Sequence, residues 1–282
     1  MAAPKGAVTH FKNQAEVCPG MFRKPEPLNP ERHAGLRYEP NIGYRFAAEE
    51  VTVPVVAVEA LMAARDYILV FHKTDATVLA LLAVAPKHNA HVNERGQWIG
   101  RYQPAFIRSY PFALVQPAGQ AAQGAEDRRF TVVVDAEAPQ FGDPEGAPLF
   151  DGDGKPTALL TKVQQSLATL YTDRERTRRL VGQLQDAGLL VERSILLKGQ
   201  DRGLTGFRVI DTKALEKLEP AHLGRLRDSG ALTVAFAQIM SLSNLQDGVL
   251  ARSVQKTPDG AGERKVRELF DGDFDIDLDF MN

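Results

Sequence analysis

Two uninterrupted apolar runs, Tyr67-Ile68-Leu69-Val70-Phe71-His72 and Thr77-Val78-Leu79-Ala80-Leu81-Leu82-Ala83-Val84, flank the polar turn Lys73-Thr74-Asp75-Ala76. A strand with one wet face alternates apolar and polar residues, and these runs do not alternate. The pair is predicted to form a hairpin buried on both faces, which the rest of the chain has to cover.

The flanking pattern supplies sheet first and helices later. Val51–Val58 is β-branched and reads as a strand, with Pro54 marking an edge or a bulge. Glu59–Asp66 reads as a short helix, and Pro104–Tyr110 as one or two helical turns closed by Pro111. Ala113–Val115 and Phe130–Val134 are further strands, separated by the Ala/Gly/Gln-rich loop Gln116–Arg129. Phe141–Lys155 is a second loop.

Thr157–Ala187 is the longest helical pattern. Leu160, Val163, Leu167, Leu170, Val181 and Leu184 keep a three-four spacing, broken in register by Arg174 and Thr177, and Gly188 stands where a C-cap belongs. Leu189–Val191, Ser194–Leu197 and Thr205–Ile210 read as strands. Helices are expected from Asp211, from Glu219-Pro220 and over Ala231–Leu242. This order predicts an α+β fold, with a mostly antiparallel sheet in the first half and helices, one long, in the second.

Three regions follow from composition. Residues 1–40 carry Pro19, Pro25, Pro27, Pro30 and Pro40 and are expected to form an extended arm, with regular structure from about Tyr44. Residues 41–245 form a single α+β domain. Residues 246–282 are a basic tether (Arg252, Lys256, Arg264, Lys265, Arg267) and an alternating acidic and apolar tail.

A formal net charge of -2 over 282 residues gives no basic field for nucleic acid. No apolar run is long enough for a membrane helix, so membrane insertion is not expected. The first residues lack the apolar core of a secretory signal, and the single Cys18 suits a reducing compartment, so a cytoplasmic location is expected.

Chemistry concentrates in Gly96–Phe112, which holds the only tryptophan, Tyr102, Tyr110, Phe106, Phe112, Arg101 and Arg108. These residues serve either as core aromatics between strands or as a binding site. In the second reading Trp98 and Tyr102 form an apolar wall, Arg101 and Arg108 are anion-binding forks, and Arg65 and His72 extend the groove. His88 and His91, near Glu94, have ligand spacing, but no cysteine or HExxH pattern accompanies them, and they read as exposed loop residues. Asp151-Gly152-Asp153-Gly154 resembles the start of a calcium loop, yet position twelve is Lys162, so a turn capping the long helix is the better account. The sequence assigns no metal, no cofactor and no catalytic motif.

Asp271, Asp273, Asp275, Asp277 and Asp279 alternate with Phe274, Ile276, Leu278 and Phe280. An extended backbone puts the carboxylates on one face and the apolar groups on the other. The segment is either a solubilising tail or a strand that docks on a sheet edge of this chain or of a partner, a route to a homo-oligomer.

Several segments together resemble the SapC family of bacterial proteins. They are Leu28–His33, Tyr44–Glu49, Val53–Glu59, Gly96–Phe112, Leu149–Thr157, Gly206–Asp211 and Ser241–Leu245, covering roughly residues 28–245. The resemblance implies an association with surface-layer genes. It also implies genes lying near those for outer-membrane TonB-dependent receptors, flavin-dependent halogenase-like proteins and cupin-like oxygenases. It implies no catalytic residue. The expected function is that of a soluble, non-enzymatic accessory protein that binds a small molecule or a partner protein. The alternative is an enzyme or enzyme subunit that processes an imported sugar or peptide.

Overall fold

The computed structural model describes residues 20–84, 88–115, 130–142, 144–195 and 204–255. Its centre is the expected hairpin: β4 (Leu69–His72) and β5 (Val78–Leu81) pair antiparallel and are buried almost throughout. The strand β3 (Thr52–Val55) adds to β5, and β10 (Leu204–Ile210) adds to β4 with β9 (Leu190–Ile195) outside it. The sheet order is β3-β5-β4-β10-β9, and Pro54 sits on an edge strand, where its missing N–H is tolerated.

Both faces of this sheet are covered, as the hairpin requires. Leu69, Phe71, Val78 and Ala80 meet the long helix α4 (Ala158–Asp186) and α7 (Ala231–Ser241) through Leu180, Val181, Leu184, Val234 and Ala237. Ile68, Val70, Leu79 and Leu81 meet Leu250 and Ala251 of α9 (Val249–Gln255). Side chains of α7 and the residues after it also bond to the sheet backbone. Gln238 accepts from the Ile210 amide (2.9 Å) and donates to the Leu69 carbonyl (3.3 Å), while Ser241 Oγ accepts from the Leu69 amide (2.9 Å). Asn244 opens α8 (Asn244–Asp247) and donates to the carbonyls of Ala64 (2.8 Å) and Tyr67 (3.0 Å). The polar residues of Ser241–Leu245 thereby hold the turn ahead of β4.

A second sheet, β1 (Pro25–Pro27), β7 (Thr131–Asp135) and β6 (Phe112–Val115), packs Phe112 and Val134 against Leu160 and Leu167 of α4. The helix thus spans both sheets, over roughly 43 Å at 1.5 Å per residue. Thr157 caps its start, and Gly188 (φ +70°) ends it. Thr177, which breaks the apolar register, is buried and accepts the Ala57 amide at 2.7 Å.

The α+β arrangement, with antiparallel sheets early and helices late, agrees with the expectation. Regular structure, however, begins before Tyr44. β1 pairs with β7, α1 (Pro30–His33) follows with Asn29 as its cap, and β2 (Arg37–Tyr38) pairs with β8 (Ala147–Pro148). The prolines forbid a long helix, but they suit an edge strand and a helix N-terminus. Asp135 fastens this arm. Fully buried, it accepts the amides of Arg23 (3.0 Å) and Lys24 (2.9 Å) and the Tyr110 hydroxyl (2.8 Å). Asp135→Asn sets an NH2 against a donor and is expected to cost about 2 kcal/mol in urea unfolding; an unchanged midpoint would remove this anchor from the account.

Two further elements differ from expectation. The strand from Val51 stops at Val55 because Ala57–Glu59 turns into a 3-10 helix, with Glu59 Oε1 accepting the Val56 amide at 3.0 Å. In place of two strands, Leu190–Ile195 is one, β9, that runs through Glu192 and Arg193; an edge strand accommodates those exposed charges. The other α-helices among the described residues are α2 (Ala60–Ala63), α3 (Ala105–Ser109), α5 (Thr212–Glu216) and α6 (Pro220–Ser229). Among the described residues no helix is long and apolar enough to cross a membrane. Cys18 and the tail positions Phe274, Ile276, Leu278 and Phe280 lie outside the described residues.

Candidate functional site

The aromatic tract is presented by a tight turn. Asn93 Oδ1 accepts the amides of Arg95 (3.0 Å) and Gln97 (2.9 Å), Gly96 takes φ +78°, and Trp98 bridges back to Val92. The Trp98 indole N–H then donates to the Tyr67 hydroxyl and the Tyr102 carbonyl, each at 3.1 Å, and Tyr67 OH donates to the same carbonyl. A side chain at Gly100 would begin 2.9 Å from the indole nitrogen and 3.0 Å from the Tyr67 hydroxyl, so glycine is what lets the loop close here. Burial first of all drives the Tyr67 hydroxyl well above the usual tyrosine range.

Tyr102 carries the network outward. Its amide donates to Asp66 Oδ2 at 2.7 Å, and its hydroxyl donates to Glu59 Oε2 at 2.6 Å. Burial, and after it the bond to Glu59, raises the Tyr102 hydroxyl above its usual range. Glu59, whose side chain is 4% exposed, also takes the Ala105 amide (2.9 Å) on Oε2, and Arg108 approaches that oxygen at 3.9 Å. Arg108 lies over the Tyr102 ring at 5.5 Å to its centroid, and its Nη2 is 3.4 Å from the Tyr102 hydroxyl. These are long contacts. Its side chain is 53% exposed, and those two contacts leave donors of its five-donor fork for other partners.

Arg108, Tyr102 and Glu59 form one wall of a groove of about 540 Å³. The opposite wall is the first half of α4, with Val163, Leu167, Leu170 and Asp173, and Phe112 and Met62 add to the apolar lining. The groove exists because α4 bridges two sheets and its Val163–Leu170 stripe is only partly covered between them. A smaller cavity of about 40 Å³ continues from it, sharing Ser109, Phe112, Leu167 and Leu170.

The predicted site residues therefore separate. Tyr102 and Arg108 line the groove. Trp98 stands behind Tyr102, half-buried against Tyr44 (5.8 Å between rings) and His91 (5.9 Å), and braces the wall without lining it. Arg65 and Arg101 are exposed and do not line it. His72 ends β4, where its Nδ1 accepts the Asp75 amide at 3.1 Å, and it too lies outside the groove lining. His88 is exposed, but His91 corrects the expectation of an exposed pair: it is 0% exposed, with its ring 4.6 Å from that of Tyr67. Among the described residues no cluster of three His, Cys, Asp or Glu side chains forms a metal site.

Glu59 is the site residue that sequence reasoning missed. A single acid following a β-branched strand and preceding an Ala-rich turn was its only signal. Val163 and Leu170 were legible as helix stripe but not as groove wall.

No curated protein and no solved structure matches the chain. A family model described as SapC matches residues 28–247, which include β3, the Gly96–Phe112 tract, α4 and α7. The chain belongs to the SapC family.

Proposed function

We propose that the chain is a non-enzymatic binding protein whose groove takes an amphipathic ligand with one anionic end. The observation that carries this reading is the half-exposed Arg108 fork beside an apolar channel about 540 Å³ in volume. Among the described residues Arg108 is the one basic side chain of the lining. The two acids there act differently. Glu59 has its oxygens committed to Val56, Ala105 and Tyr102, whereas Asp173 on the far wall repels a second negative charge. No described histidine lines the groove, and Glu59 is not free to act as a base, which favours binding over the processing of a sugar or peptide. An accessory role beside outer-membrane receptors or surface-layer systems rests on the family resemblance alone.

Dodecanoate and dodecyltrimethylammonium share an apolar chain and differ in charge, so calorimetric titration with both tests the reading. Dodecanoate is expected to bind one to one, and Arg108→Gln to weaken it about tenfold. Equal affinity for the two probes, or no effect of Arg108→Gln, contradicts the proposal.

A further inference from the structure

The turn that carries Glu59 buries one face and leaves the other apolar. From Ala57 to Asp66 the chain winds through a 3-10 turn and α2, with Ala60, Ala63 and Ala64 buried beneath. Val58 (59% exposed), Leu61 (50%) and Met62 (47%) stand outside at helical spacing, and Arg65 follows Leu61 by one turn. A lone exposed leucine is ordinary on a protein surface, whereas adjoining apolar side chains mark a place where something docks. Met240, 65% exposed, stands one turn before Asn244, which donates to the Ala64 carbonyl next to Arg65, and it brings a further apolar group to that end.

Three arginines border the strip. Arg65 follows it directly. Arg101 precedes Tyr102, whose amide is bonded to Asp66, so the backbone segments bearing Arg65 and Arg101 lie side by side. Both arginines are exposed, and neither makes an ion pair or a side-chain hydrogen bond among the described residues. Arg108 shares the groove lining with Val58 and Met62. The acids of the same turn face inward: Glu59 and Asp66 are buried, bonded to the hydroxyl and the amide of Tyr102.

We propose that this face docks on an anionic lipid surface, with the mouth of the groove against it. The unpaired guanidinium groups select a negative partner and suit the phosphates of lipid headgroups, while Val58, Leu61 and Met62 enter the acyl boundary. An acidic protein segment would answer the same charge. The lipid is favoured because Val58 and Met62 belong to the face and to the groove at once, so an amphipathic ligand passes between bilayer and groove without crossing water. That choice of partner rests on the binding reading proposed above.

Co-sedimentation of the full chain with vesicles tests it, using phosphatidylcholine alone and an equimolar mixture with phosphatidylglycerol. The wild type is expected to sediment with the mixed vesicles only, and less as salt is added. Arg65→Gln and Arg101→Gln together are expected to weaken this binding about thirtyfold. Leu61→Ser, at a half-exposed position, is expected to weaken it about fivefold. None of the three residues lines the groove, so each variant should titrate dodecanoate as the wild type does. Vesicle binding that persists in a wild type unable to bind dodecanoate would sink the groove reading and support the docking face. Wild-type protein that ignores both vesicles overturns the proposal and leaves the face to a protein partner. Equal binding to both vesicles, or variants that bind like the wild type, also overturns it.

Discussion

Glu59→Ala is expected to destabilise the protein by about 3–5 kcal/mol, as much as truncating a large apolar side chain of the groove wall. The side chain is almost wholly interior, and its two oxygens collect the Val56 amide, the Ala105 amide and the Tyr102 hydroxyl. Truncation takes the protein acceptor from all three donors, and hydrogen bonds to a charged group contribute roughly 1.5–3 kcal/mol each before non-additivity. Arg108 adds little to this total, since its contact is 3.9 Å long and its side chain is half in water. Glu59→Gln keeps one acceptor and the shape, so a smaller loss of about 1–3 kcal/mol is expected. Tyr102→Phe, which removes the donor to Glu59 and the distant acceptor of Arg108 Nη2, should cost about 1 kcal/mol. Urea unfolding followed by Trp98 fluorescence measures the three. A loss below 1 kcal/mol for Glu59→Ala would mean the wall is not built on this carboxylate.

Acid is expected to remove about 3 kcal/mol of stability through His91. The ring lies between Tyr67 and Trp98 with both nitrogens unpartnered, and burial lowers its pKa to about 4. The backbone of Asp66 and of Leu82 opposes that shift without reaching hydrogen-bonding geometry. Unfolded, the imidazole titrates near 6.5. Between those two values the unfolded chain holds more protons, so stability is complete above about pH 6.5 and falls as the pH drops toward 4. Glu50 works the other way: burial raises it to about 6, so its protonation favours the folded state as pH falls. Comparison with His91→Phe cancels Glu50 and every other shared group. The variant should equal or exceed the wild type at pH 7.5 and exceed it by about 2–3 kcal/mol at pH 4.5. A difference that does not change with pH would show that His91 does not titrate in this interval.

The central hairpin was legible because unbroken apolar strands have only one kind of environment, and the long helix because its stripe persists for many turns. The arm was harder. Proline at Pro25, Pro27 and Pro30 excludes long helices, yet it does not say whether a short edge strand will find a partner, and that partner, β7, lies more than 100 residues away. Glu59 and Asp135 look like ordinary surface acids in the sequence; each is defined by amides that other segments bring to it. His91 is the same problem with the opposite sign, since only the approach of Tyr67 and Trp98 makes it interior. Tyr102 and Arg108 could be named from residue type within an aromatic tract, but the α4 wall facing them could not, because the gap between two sheets is a property of their packing.

A crystal structure of the protein with dodecanoate tests the binding reading most directly. The alkyl chain is predicted to lie along Val163, Leu167 and Leu170, with its carboxylate on the Arg108 fork and the Tyr102–Glu59 bond intact. A groove holding only water, or dodecanoate seated elsewhere with Arg108 turned away, would contradict it.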